Sequence, residues 1–160
     1  MWKCGDVGIP ESQPVSKTYE VPEEEMGVLL WNSREPRAFY GQDRVTGNLI
    51  VDRSFEFALR VVRFSRRLRE AGWPDLARQL LRSGTSVGAN VHEAQDAESR
   101  DDFIHKMKLA AKEANESRFW LKLCKYTEEL PHEEGLLDDL YEISSVLSAI
   151  IIKSRQNARK

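Results

Sequence analysis

The chain has 160 residues, with 24 Lys+Arg against 26 Asp+Glu and a formal net charge of -2, which suits one domain with a single core. The first twenty residues hold no apolar run of the signal-peptide kind, and the longest apolar stretch, around Ile150-Ile151-Ile152, is far too short to span a bilayer. Cys4 and Cys124 are the only cysteines and have no C-x-x-C spacing, which argues against a disulfide framework or a zinc site and fits a soluble protein of a reducing cytoplasm.

The balanced total hides an alternation. Residues 53–82, 105–125 and 153–160 are net basic, whereas 1–52, 83–104 and 126–152 are net acidic, so basic patches are available to an anionic partner despite the acidic sum. Residues 1–51 are punctuated by prolines and glycines that leave no helical apolar period. They read as an irregular N-terminal extension, either of low order or docked as an arm. Val28-Leu29-Leu30-Trp31 and Leu49-Ile50-Val51 are its candidate strands or docking segments, and Thr46-Gly47-Asn48 its turn.

From Asp52 the pattern is helical, and residues 52–160 are expected to form the bundle domain. In the first helix Phe55, Leu59, Val62 and Leu68, with Ala58, Val61 and Ser65 beside them, form the expected seam, and Arg60, Arg63 and Arg67 lie on another face. Ala71-Gly72 ends this helix, and Pro74 suits the first turn of the next. That second helix continues on Leu76, Leu80, Val87, Val91 and Ala94. It runs straight through RSGTSVGANVHEAQ (82–95), whose composition alone suggests a loop. Its small residues are expected to let the helix approach a neighbour closely, which would offset the roughly 1 kcal/mol of helix propensity lost at each of Gly84 and Gly88.

Ser99 is the expected N-cap of the third helix, with Asp101 and Asp102 suiting its dipole. Phe103, Met107, Ala110, Ala111, Ala114, Ser117, Leu121 and Cys124 form its apolar face. Pro131 breaks the chain, and a fourth helix is expected from about Glu133 to Gln156. Leu136, Leu140, Ile143, Leu147, Ile150 and Ser154 make its seam; Leu137, Tyr141, Ser148 and Ile152 widen it enough to suggest a subunit interface. Four long helices with short connections predict an all-α, antiparallel up-and-down four-helix bundle.

Three stretches carry a family resemblance: LLRSGTSVGANVHEA (80–94), DFIHKMKLAAKEANESRFWLKL (102–123) and EISSVLSAIIIKSR (142–155). In this order they resemble the four-helix bundle proteins encoded in intervening sequences of bacterial 23S ribosomal RNA genes. The resemblance covers about residues 53–157 and leaves the extension outside. It implies a homo-oligomer, a pentamer in the family pattern, with no known catalytic site and no cofactor. The related accessory variability determinant of diversity-generating retroelements uses its basic surface to bind nucleic acid and a reverse transcriptase, so RNA or DNA is the implied partner, with a reverse transcriptase as a further one and no membrane.

Two basic stripes are the candidate nucleic-acid contacts: Arg60, Arg63 and Arg67 on the first helix, and Arg118, Lys122 and Lys125 on the third. The bland alternative is a solvated face making pairs such as Glu56–Arg60. Phe119 and Trp120 could stack on bases, but their positions fit packing in a core or interface better. The ladder Arg82, Ser86, Asn90 and Glu93, spaced by 4, 4 and 3, matches the family's residues at the same spacing. It reads as a structural set of mutual hydrogen bonds fixing helix register rather than as a catalytic strip.

Metal chemistry is poorly supported: Asp102-x-x-His105 has Asp where a di-iron motif needs Glu, and Glu129-x-x-His132 is interrupted by Pro131. Arg100 and His105 resemble the R-x4–6-H motif of the small helical HEPN ribonucleases, which makes a metal-independent ribonuclease the enzymatic alternative. A structural scaffold for a protein partner is the other. The expectation is a non-enzymatic, cytoplasmic, nucleic-acid-binding adaptor.

Overall fold

The computed structural model describes residues 46–157. The described residues form four α-helices: α1 Leu49–Glu70, α2 Pro74–Gln95, α3 Arg100–Tyr126 and α4 Leu136–Asn157. Each packs on its neighbours in the chain, and α4 closes on α1, giving the expected antiparallel bundle. No helix among the described residues is long and apolar enough to cross a membrane. Val28–Trp31 lies outside the described residues.

The helix ends follow local chemistry. At Gly47 the backbone has φ 76°, a left-handed conformation that glycine tolerates best. Asp52, in the first turn of α1, accepts from the Thr46 amide at 2.7 Å, the Thr46 hydroxyl at 2.8 Å and the Gly47 amide at 3.2 Å. The predicted turn at 46–48 is therefore held from inside the helix. Gly72, at φ 92°, reverses the chain before Pro74 opens α2. Ser99 caps α3 by accepting from the Asp102 amide at 3.1 Å, as the sequence suggests.

Two expectations change. Leu49-Ile50-Val51 is neither a strand nor a docking segment: it is the first turn of α1, with Ile50 and Val51 buried. That moves part of the α1 seam, while Val61, Ser65 and Leu68 are buried as expected. The buried seam runs Ile50, Ser54, Phe57, Val61, Phe64 and Leu68, at alternating steps of four and three, whereas Phe55 and Val62 are exposed. Ile50, in the first turn, is the first member of this register. Secondly, α4 begins at Leu136, after Gly135 at φ 77°, so Glu133 lies in the connection. The α4 seam itself is as expected: Leu136, Leu140, Ile143, Leu147, Ile150 and Ser154 are all buried.

RSGTSVGANVHEAQ lies within α2 and serves two neighbours. Toward α1, a Cβ at Gly84 would fall 2.6 and 2.8 Å from the Val61 methyls, and one at Gly88 would fall 3.2 Å from the Ser54 carbonyl oxygen. Toward α3, the fully buried Ser117 hydroxyl donates to Ser83 Oγ at 3.0 Å. The Ser83 hydroxyl in turn donates to the Gln79 carbonyl at 3.1 Å. Small size on one side and satisfied polarity on the other explain a helix with loop-like composition.

Candidate nucleic-acid interface

The arginines of α1 face the molecule's own carboxylates. Arg60 donates to Glu133 Oε1 through Nε at 3.2 Å and through a terminal nitrogen at 3.1 Å. It also pairs with Asp139 and donates to the Glu134 carbonyl at 2.7 Å. Arg67 takes the other Glu133 oxygen at 2.6 Å. Burial works against the Arg60 charge, but Asp139 and Glu133 outweigh it and raise the pKa above its ordinary value. The Glu56–Arg60 pair anticipated along the helix is replaced by partners more than seventy residues away. The guanidinium fork suits this, because it satisfies several acceptors at once. Arg67 also lies over the Phe64 ring, 5.3 Å from its centroid. Among the described residues, Arg63 alone of the predicted α1 stripe faces solvent without an ion pair.

The outer face of α3 is organised differently. Lys108, Lys112, Asn115, Phe119, Lys122 and Tyr126 succeed one another at steps of four and three, and all are exposed. This line follows one side of a straight helix. Among the described residues none of these three lysines pairs with a carboxylate. Phe119 is 58% and Tyr126 73% exposed, so Phe119 is not in the monomer core. Trp120 is half-buried and packs against the core, meets Phe119 edge-on at 4.8 Å, and its indole N–H reaches Glu116 at 3.4 Å.

Of the predicted trio on α3, Lys122 belongs to this line, and Arg118 and Lys125 lie beside it. Arg118 donates to Asn115 at 2.6 Å and sits 5.8 Å from the Tyr141 ring centroid, while Lys122 and Lys125 are exposed. Lys125 borders a cleft of about 370 Å³ lined also by Phe64, Cys124, His132 and Asp138. Burial pushes the Cys124 thiol up to about 11, which keeps it protonated and a poor nucleophile at neutral pH. Lys108, Lys112 and Tyr126 were missed in the sequence. The signal that could have found them is the continuation of the Phe119–Lys122 line in both directions along the helix.

The polar ladder of α2 reaches across to α3 more than along itself. Arg82 pairs with Glu116, and Glu93 with Lys106, whose pKa is raised by that hydrogen bond and charge. Within the ladder, Asn90 Nδ2 donates to the Ser86 carbonyl at 2.8 Å. Register is thus tied between two helices rather than by a chain of mutual side-chain bonds. His105 is exposed near the start of α3, five residues after Arg100. Among the described residues no group of three or more His, Cys, Asp or Glu side chains is placed to hold a metal.

Comparison with known proteins covers the same part of the chain. No match was found among the curated proteins. A crystal structure of a protein of unknown function from the S23 ribosomal protein family of Bacteroides thetaiotaomicron is 45% identical. It covers 64% of this chain and 97% of its own, with a TM-score of 0.61. The family model for the 23S rRNA-intervening sequence protein matches residues 47–151, which takes in every helix from the Gly47 turn to the last turns of α4. The chain therefore belongs to the 23S rRNA-intervening sequence protein family.

Proposed function

We propose that the protein is a non-enzymatic adaptor that binds nucleic acid through the outer face of α3. The observation that carries this is the contrast between basic faces: Arg60 and Arg67 are engaged by Glu133 and Asp139, whereas Lys108, Lys112 and Lys122 form a line of cations with no ion pair among the described residues. Unpaired lysines on one face can meet successive phosphates, and the counterions released make binding salt-dependent. Titration of labelled RNA and DNA oligonucleotides across a salt series tests this. The expected outcome is affinity that falls linearly with salt on logarithmic axes. Absence of binding at low ionic strength would reject it.

The same proposal has the chain working as a homo-oligomer, which would multiply the α3 faces and raise avidity. Support comes from apolar surface on α1 and α2: Phe55, Val62 and Leu81 are exposed, and the Phe55 ring lies 6.3 Å from the His92 ring. Light scattering of the full chain is expected to give a multiple of 18.4 kDa. Val62→Lys, which places charge on that surface without touching the core seam, is expected to shift the mass toward the monomer.

A further inference from the structure

We infer that the α3 face selects single-stranded over duplex nucleic acid, by stacking unpaired bases on Phe119 and Tyr126 while Lys112 and Lys122 on the same line hold the phosphates. The inference rests on the binding role proposed above and goes beyond it in naming the form of the ligand.

Two exposed aromatic rings on one helix line are costly to leave in water. The surrounding residues fit a stacking surface better than an apolar contact. Lys122 lies between the rings along the line, and Lys112 stands two turns before Phe119. A wholly apolar protein contact would have to desolvate those ammonium groups. A nucleic-acid strand offers an anion for each lysine and a π-face for each ring.

The Phe119 ring is also partly set in place. Phe119 is braced edge-on by Trp120, whose indole is held by Glu116, itself paired with Arg82 on α2. One side of the Phe119 ring is thereby supported from the core while more than half of the residue stays open. A ring already fixed loses less freedom when a base settles on it.

Spacing fits the same ligand. Phe119 and Tyr126 are seven residues apart, which is about 10.5 Å along a helix rising 1.5 Å per residue. A stacked strand rising about 3.4 Å per nucleotide covers that distance in roughly three nucleotides. In a duplex the base faces are covered by their neighbours, so neither ring would find a partner there. Reading a duplex through its major groove requires a helix to enter it, and α3 is flanked by α2 and α4.

The test uses the full chain with fluorescein-labelled single-stranded RNA, single-stranded DNA of the same sequence and the corresponding DNA duplex, each about twelve nucleotides long and read by anisotropy at ~50 mM salt. Phe119→Leu, Tyr126→Leu and the double variant remove the rings but keep apolar side chains on the helix, and circular dichroism confirms that each remains folded. Wild type is expected to bind single strands about tenfold or more tighter than duplex, and each substitution to weaken single-strand binding by about 5- to 30-fold. The salt slope should stay as in wild type, because the lysines remain. RNA and DNA strands bound alike would place recognition in bases and phosphates, and a preference for RNA would add the 2′-hydroxyl; both outcomes uphold the inference. Equal affinity for duplex and single strand, or variants that bind single strands as tightly as wild type, would overturn stacking while leaving lysine-based binding intact. Failure of wild type to bind any of the three would overturn the binding role as well and assign the ridge to a protein partner.

Discussion

The basic faces of α1 and α3 look interchangeable as strings of residues, yet the fold treats them in opposite ways. On α1, Arg60 and Arg67 are drawn onto Glu133 and Asp139 and fasten the α3–α4 connection and the start of α4 to the first helix. On α3, Lys108, Lys112 and Lys122 point outward among exposed aromatics. Whether a cationic stripe stabilises or recognises depends on carboxylates that arrive from elsewhere in the chain. The residue types accord with the division: a guanidinium serves several fixed acceptors, while an ammonium on a flexible stem suits a moving phosphate.

Substitutions can break this contrast. The largest effect is expected from replacing Lys108, Lys112 and Lys122 together by Glu, which should weaken single-strand binding on the order of 100-fold at ~50 mM salt and move the urea midpoint little. A large loss of stability would mean that the α3 lysines are structural after all. Next, Arg60→Ala should reverse the pattern. It strips Glu133 and Asp139 of their shared partner and should cost about 1–2 kcal/mol in urea denaturation, a figure tempered by the solvent that still reaches the cluster. Affinity of the folded variant for nucleic acid should stay within about twofold; a loss matching that of the lysine variant would return the α1 stripe to the interface.

A smaller effect sharpens the comparison by touching neither face. Gly84→Ala drives a methyl group into Val61 and should destabilise the bundle by about 1 kcal/mol even after the gain in helix propensity. At Gly88 the contact is looser, so Gly88→Ala should cost less. If either weakened binding by folded protein, affinity would be following general stability and the separation of the two faces would fail.

Most of the fold was legible because α2, α3 and α4 carry clean apolar periods, Pro74 and the Ser99 cap mark helix starts, and Pro131 marks the α3–α4 connection. In α1, Val61, Ser65 and Leu68 stand in the expected seam but Phe55 and Val62 do not, because they are as apolar as the buried Phe57 and Phe64 and local sequence does not separate the two sets. The site was half legible. Lys122 and Phe119 stood out by type, but nothing local reveals that Phe119 would be exposed while Trp120 packs inward. Nor does the sequence near Arg60 disclose Glu133, since an ion pair closed across more than seventy residues exists only once the bundle has formed.

The grip of Asp52 on Thr46 and Gly47 gives the bundle a polarity. The chain enters at a fixed point beside the end of α2, where Asn48 Nδ2 donates to Gln95 Oε1 at 3.1 Å. Tyr126 closes the far end of α3, a helix of 27 residues and so about 40 Å long. One pole thus holds the chain's entry and the other the Tyr126 end of the proposed interface. A reporter fused directly at Thr46 would set out from the pole remote from Tyr126 and leave the proposed interface untouched.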